Sequence, residues 1–195
     1  MDKAQSSDSC AAVVTRGGLA GDSAQAQGKY YIECHGPDGQ LKWADTIDNI
    51  LTTVGVTLML DTLLAGSAYT TVGPFMGLKG TGTATVAHTM ASHAAWSEVG
   101  GANAPTYTSP RKTITFSASS GTTTITKATT GTYTFAITSS GTVAGCFVVT
   151  GTGAVSTIDN TSGTLLSAGD FTGGSKTVSN GDSLTVTWSV AITPA

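Results

Sequence analysis

The sequence has few charged side chains, and its second half has almost none. Asp, Glu, Lys and Arg make up 11% of the 195 residues, less than half of the roughly 25% that is usual for soluble domains. In residues 101–195 the ionisable side chains other than Tyr and Cys are Arg111, Lys112, Lys127, Asp159, Asp170, Lys176 and Asp182. Acids and bases this sparse rarely assemble an active site, so we predict a non-enzymatic protein with no catalytic residue.

Cysteine is also scarce, and long apolar runs are missing. Cys10, Cys34 and Cys146 are far apart in the sequence and form no C-x-x-C spacing, which indicates neither a disulfide framework nor a zinc site. No apolar run approaches the ~18 residues of a membrane span, and the first residues lack the apolar stretch of a signal peptide. The sequence therefore predicts reduced thiols, no membrane partner and synthesis in the cytoplasm.

Basic charge is lacking too. The net charge is −3 and the pI about 5.4, and Lys and Arg form no cluster that would neutralise phosphates. The glycine-rich stretch 77–83 lacks the G-x-x-x-x-G-K-[ST] order of a phosphate loop, and predicted strands rather than a helix follow it. We therefore predict no nucleic-acid partner and no cofactor.

The histidines are poorly spaced for chemistry. His88 and His93 are five positions apart, which suits neither one face of a helix nor one side of a strand. With Ser92 and Glu98 nearby they suggest a metal pair or a Ser/His site only weakly. We interpret them as capping or packing residues.

The remaining candidates favour structural roles as well. Cys34 and His35 are neighbours in a predicted strand, so their side chains point to opposite faces and make a poor nucleophile pair. Asp159, Asp170 and Asp182 lie among Gly, Ser and Thr, which is typical of turns. A Ca²⁺ site in these turns is the alternative, and no metal site is predicted.

The chain divides into a polar segment and a β-rich domain. Residues 1–27 are rich in Ala, Ser, Gln and Gly and are predicted to form an extended N-terminal arm, ordered by a neighbouring subunit. Residues 28–195 are predicted to form one domain. It opens with a hairpin around Pro37, Asp38 and Gly39, because Asp and Gly provide the turn's backbone angles at low cost.

One helix is predicted, over residues 45–64. Asp45 is its expected N-cap, and an apolar stripe lies along one face at helical spacing, formed by Ile47, Ile50, Leu51, Val54, Leu58 and Leu63. One or two further helical turns are expected within residues 88–96.

Eight to eleven short strands are predicted before and after this helix. The clearest alternates apolar and polar residues from Leu184 to Ile192, which places one set of side chains on a buried face. Trp188 belongs to that set and is assigned to the core, whereas Trp43 and Trp96 fit a core, sugar-stacking or protein-binding role. The fold class is mainly β, a jelly-roll-like antiparallel sandwich with one α-helix.

Several segments resemble small structural proteins of tailed bacteriophages. They are residues 48–55, 58–66, 88–98, 141–148 and 180–186, in patches between Trp43 and Ile192. The chain is similar to the capsid cement, or decoration, proteins of short-tailed and related phages. Around residues 105–112, the order Pro110-Arg111 departs from the Arg-Pro plus aromatic of the family pattern.

The resemblance implies a virion protein with a jelly-roll fold. Its expected partners are the major capsid protein and itself, as a homo-dimer or homo-trimer, and its expected location is the outer surface of the capsid. Binding only the mature lattice would stabilise the DNA-filled head by mass action. A tail or head-fibre component is the alternative, and a carbohydrate-binding adhesin module is a second one.

Overall fold

The computed structural model describes residues 24–66, 72–108 and 110–194. Within these ranges one α-helix and eleven strands occur. The helix is α1 Thr53–Leu64, and the strands are β1 Ala24–His35, β2 Leu41–Leu51, β3 Phe75–Lys79, β4 Lys112–Thr113, β5 Ile125–Ala128, β6 Tyr133–Ala136, β7 Gly141–Val143, β8 Gly145–Thr150, β9 Thr164–Asp170, β10 Lys176–Val178 and β11 Ser183–Pro194. Residues 24–27 of the predicted arm belong to β1, and the rest of the arm lies outside the described residues.

Nine of these strands form one antiparallel sheet. Its order is β4-β3-β8-β9-β2-β1-β11-β5, and β6 pairs with the first part of β11. The longest pairing joins β1 to β11 along twelve residues, from Ala24 opposite Pro194 to His35 opposite Ser183. β7 and β10 form a separate two-stranded sheet.

The large sheet curls around its own core. Met76 of β3 and Val148 of β8 belong to the same buried cluster as Ile32 of β1 and Leu184 of β11, although two strands separate β8 from β1 in the sheet. Strands this far apart share a core only when the sheet bends into a half-barrel. The predicted mainly β, jelly-roll-like antiparallel fold is confirmed.

A second apolar cluster covers the outer side of β8. Trp96, Phe147, Val149 and Leu165 belong to this cluster, whereas Cys146 and Val148 face the first one. All six residues of β8 are buried, and it has the near-continuous apolar sequence expected of a strand covered on both faces.

The predicted start of the helix was wrong. Residues 45–51 belong to β2, where Ile47 lies opposite Tyr30 of β1. The helix begins at Thr53, and its N-cap is Thr52, whose Oγ1 accepts a hydrogen bond of 3.1 Å from Gly55 N. β-Branched Thr46 and Ile47 fit the pleated ladder that β1 provides, and Ile50 pairs with Ala168 of β9. Strand pairing therefore overrode a spacing that also suits a helix.

The predictions for the smaller elements were confirmed in part. The hairpin turn forms, with Gly36 N donating to Gln40 O at 2.9 Å, and a kinked 3₁₀ segment spans Met90–Ala95. The short strands that the sequence predicts include residues 83–86 and 112–117, and of these residues 83–86 form a loop. The predicted strand at 112–117 ends at Thr113, and Phe116 forms a single bridge to Thr129.

Candidate protein interaction surface

Helix α1 lies unusually close to strand β9 because it has a glycine at the contact. A Cβ atom added to Gly55 would be 2.5 Å from the carbonyl oxygen of Leu166 and 2.9 Å from its Cα. Thr52, at the start of the helix, also donates a short hydrogen bond to the carbonyl of Leu165. The inner side of α1 is therefore held against the sheet by backbone contact.

The outer side of α1 is apolar and exposed to solvent. Leu63 is 79% exposed and Leu64 76% exposed, and Val56 and Leu60 are exposed on the same side. Leu63 belongs to the apolar stripe that the sequence predicts for this helix, and the structure places it at the surface. Exposed Val86 lies beside the helix start, since Thr53 N donates to its carbonyl at 2.8 Å. We call these five residues the outer α1 face.

The outer α1 face has the composition of a buried surface. The one charged residue of the helix sequence is Asp61, and its exposed polar neighbours are Thr53 and Thr57. Contiguous apolar exposure on a soluble protein marks an interaction site. A pocket of about 410 Å³ adjoins the face and is lined by Leu58, Met59, Thr62, Leu63, Thr150 and Leu166.

Charges elsewhere on the described surface are largely paired within the chain. Three lysine–aspartate ion pairs have N–O distances of 2.6, 2.6 and 3.2 Å and join Lys29 to Asp48, Lys42 to Asp182 and Lys176 to Asp45. Pairing of this kind leaves little free charge for long-range electrostatic attraction. Apolar contact is therefore the stronger basis for binding a partner.

The ion pair between Arg111 and Glu98 is buried and fixes loops. Arg111 donates to both carboxylate oxygens of Glu98, at 2.8 and 2.6 Å, and both side chains are fully buried. Arg111 also donates to the carbonyls of Val155 and Asn160, at 3.1 and 2.7 Å. The guanidinium thus joins three loop segments beside the second apolar cluster.

The described residues near the histidines do not form a catalytic arrangement. Ser92 is used in a turn with Thr89, where its Oγ donates to the Thr89 carbonyl at 2.9 Å. Glu98 forms an ion pair with Arg111. His88 is half-buried, and the side chain of His93 lies outside what the structure describes.

Cys34 and His35 point to opposite faces of β1, as predicted. The Cys34 thiol is buried and donates to Asp182 Oδ2 at 3.7 Å. Burial, followed by the Asp182 carboxylate, raises the pKa of Cys34 to about 11. The thiol is therefore protonated at neutral pH, a state that does not attack electrophiles.

The aspartates of the predicted turns bind groups of their own chain. Backbone N–H groups donate to them, from Ala102 to Asp159 at 3.1 Å, from Ala84 to Asp170 at 2.7 Å and from Ser179 to Asp182 at 2.8 Å. Asp170 also pairs with the buried Lys79 at 2.5 Å. Among the described residues, no three His, Cys, Asp or Glu side chains come together as a metal site.

The glycine-rich stretch and the tryptophans are likewise used internally. Lys79 donates to the carbonyl of Thr81 at 3.0 Å and to that of Gly82, so its ammonium is directed into its own loop. Trp96 is fully buried against Phe147, with ring centroids 4.8 Å apart. Trp43 packs edge-on against Phe171 at 5.3 Å and donates to Thr177 O, and the assignment of Trp188 to the core is confirmed.

Comparison with protein-family models, with curated proteins and with solved structures gives no match to this chain. In the ranges that the structure describes, no helix combines the length and the hydrophobicity needed to cross a bilayer. The outer α1 face is therefore the described feature from which a function is best argued. The sequence analysis predicted a helix over these leucines, begun eight residues before Thr53, but it gave no indication that they would be exposed.

Proposed function

We propose that this chain is a non-enzymatic structural protein of a tailed-bacteriophage virion. It acts as a capsid cement, or decoration, protein that binds the outer surface of the major capsid protein lattice and stabilises the DNA-filled head. The sequence resemblance supplies the family. The physical support is a curled β domain whose described residues include an exposed apolar surface at α1.

The outer α1 face is the observation that carries this proposal. Burying a leucine side chain contributes about 1.5–3 kcal/mol, so covering Leu60, Leu63 and Leu64 supplies much of the affinity that a protein contact needs. The backbone of α1 is anchored on β9, so the face is presented without a large ordering cost. In the cement role, this face contacts the capsid lattice.

Binding to heads that lack the protein tests the proposal. DNA-filled heads of the phage that encodes the chain, produced without it, are incubated with purified protein and sedimented. We expect saturable binding and release of DNA at a higher temperature, because a ligand specific for the mature shell stabilises it. The double variant Leu63→Gln/Leu64→Gln should bind roughly tenfold more weakly or worse, as expected for central apolar contacts.

The matched control is Leu41→Gln, since Leu41 is also exposed but lies in β2, away from α1. Its binding should equal that of the wild type. Electron microscopy of the decorated heads should show density on the capsid faces. Density confined to the tail would overturn the cement role in favour of the tail alternative, and equal binding by all three proteins would exclude the outer α1 face as the contact.

The adhesin alternative has less support. Sugar rings stack on exposed aromatic faces, whereas Trp96 and Trp188 are buried and Trp43 packs on Phe171. Glycan-array binding by the purified protein would favour that alternative.

A further inference from the structure

The outer α1 face carries projecting leucines next to an apolar recess. Leu60 is 50% exposed and Leu64 is 76% exposed. The pocket of about 410 Å³ adjoins them through Leu63, which belongs to the face and also lines the pocket, together with Met59 of the helix and Leu166 of β9. An apolar cavity of about 150 Å³ in another protein is large enough to bind benzene, so this pocket has room for a leucine side chain.

The leucines and the recess are held in a fixed relation to each other. The backbone of Leu166 contacts the helix at Gly55, and the same residue forms a wall of the pocket. Thr52, at the start of the helix, donates to the carbonyl of Leu165. A partner therefore meets a surface that is already formed, and little ordering cost opposes its binding.

A second copy of the chain supplies the complement of this surface. In a two-fold dimer the same patch is used by both subunits, so every contact is made twice. A projecting leucine of each copy then meets the apolar recess of the other. The five residues of the outer α1 face are all Leu or Val, so two identical faces meet without placing like charges inside the contact.

We propose that the free chain forms a two-fold dimer in which the outer α1 face packs against the same face of a second copy. Leu64 of each copy enters the pocket of the other, and Leu60 and Leu63 pack beside it. The dimer does not depend on the capsid role proposed above. If both hold, the second copy and the capsid lattice compete for one face, and the chain binds heads as a monomer.

The exposed area predicts that this dimer is weak and reversible. Burying a leucine or valine completely removes roughly 100 Å² of apolar surface from water, and the side chains of the face are between 39% and 79% exposed. Five such side chains from each copy bury on the order of 600 Å² in total, whereas stable interfaces bury about 1,200–2,000 Å². We therefore expect a dissociation constant on the order of 0.1 mM.

Analytical ultracentrifugation of the full chain tests the dimer. Between about 0.01 and 1 mM protein, a range that brackets the expected dissociation constant, the average mass should rise from 19.5 kDa towards twice that value and no further. Over the same dilution series, ¹H–¹⁵N NMR should show shifts that are concentrated in α1 and around Thr150 and Leu166 of the pocket. The wild-type series needs no variant, so it stands even if a substitution perturbs folding.

The double variant Leu63→Gln/Leu64→Gln should dimerise roughly tenfold more weakly or worse. The control Leu41→Gln should dimerise as the wild type does, because Leu41 is exposed on β2, away from α1. A mass that stays at 19.5 kDa throughout would overturn the proposal and assign the face to a different protein. So would growth beyond a dimer, or self-association that the double variant retains. Binding of the monomeric chain to heads would leave the capsid role intact, so the two proposals can fail separately.

Discussion

Arg111 and Glu98 carry opposite charges in a place that water does not reach. Removing one side chain of such a pair lowers the free energy of unfolding by more than the pair's net contribution, because the other charge stays buried without a partner. We expect Arg111→Met to lower the free energy of unfolding by about 3–5 kcal/mol. Urea unfolding followed by far-UV circular dichroism measures the change.

Lys29→Met provides the comparison, because Lys29 and Asp48 form an ion pair at the surface. Exposed pairs contribute about 0–1 kcal/mol, so this variant should unfold nearly as the wild type does. If both variants lose the same small amount, the Arg111 pair is not isolated from water.

Asp182 is expected to make stability depend on acid pH. Burial would raise the pKa of Asp182, but the Lys42 ammonium and the Ser179 N–H hold it below its usual value. A carboxyl with a depressed folded pKa stabilises the protein above its unfolded pKa, which is about 3.9, and loses that stabilisation as pH falls through the folded value.

Comparing wild type with Asp182→Asn by urea unfolding across acid pH isolates this contribution. The wild type should be the more stable protein above about pH 4, and the gap should narrow as pH falls below that. Two curves that run parallel over the whole range would show that Asp182 does not titrate differently in the folded state.

For single residues, the sequence predicted whether a side chain is buried better than it predicted which side chain it contacts. Burial of Cys34 follows from strand alternation, and the structure confirms it. Its contact with Asp182 joins residues 148 positions apart, and no local pattern encodes such a pairing. The pairing of Arg111 with Glu98 could not be predicted from the sequence either. Both residues lie in irregular segments, and these segments come together only in the complete fold.

In helix α1, the helix propensity of residue 55 and its packing against β9 have opposite effects on stability. Replacing Gly55 by Ala should favour the helix by up to about 1 kcal/mol. The added Cβ, however, would lie 2.5 Å from the Leu166 carbonyl oxygen and 2.9 Å from the Leu166 Cα, and both of these are backbone atoms. Overpacking of this kind costs about 1–3 kcal/mol, so we expect Gly55→Ala to be destabilising in net terms.

Thr57→Ala, on the exposed side of the same helix, is the matched variant. It gains helix propensity with no new contact against β9, so it should be neutral or slightly stabilising. Melting temperatures of the two variants decide the question. A rise for Gly55→Ala would mean that α1 is free to move away from the sheet.

The boundary between β2 and α1 shows where sequence patterns become ambiguous. Ile47, Ile50 and Leu51 fit a helical stripe, yet Ile47 and Leu51 also share one face of a strand. The choice depends on β1, which pairs with β2 through Asn49 opposite Gly28. Strands with strict alternation, such as β11, had no competing period and were predicted correctly.

In the whole molecule, β8 connects the two apolar clusters. It contributes Cys146 and Val148 to one and Phe147 and Val149 to the other. Neither cluster can be exposed without removing a wall of the other, so the domain is expected to unfold as one cooperative unit. The alternation of apolar and polar residues predicted a core in the second half of the chain. It did not predict that both faces of β8 would be covered.

The distribution of charge predicts how binding to a partner responds to salt. The surface lysines are largely paired, and the outer α1 face is apolar. Affinity for heads should therefore change by less than about tenfold between about 0.05 and 0.5 M NaCl, since only free exposed charges are strongly screened. Sedimentation at several salt concentrations measures this, and a steep linear fall of log affinity with log salt would indicate binding to phosphates or to a charged surface.

The pairing of β1 with β11 brings the two ends of the described domain together. Ala24 and Pro194 lie opposite each other on adjacent strands, about 5 Å apart at the spacing of a sheet. A fluorophore attached at position 194 would therefore lie beside one attached at position 24, and energy transfer between the two labels would report fraying of this strand pair.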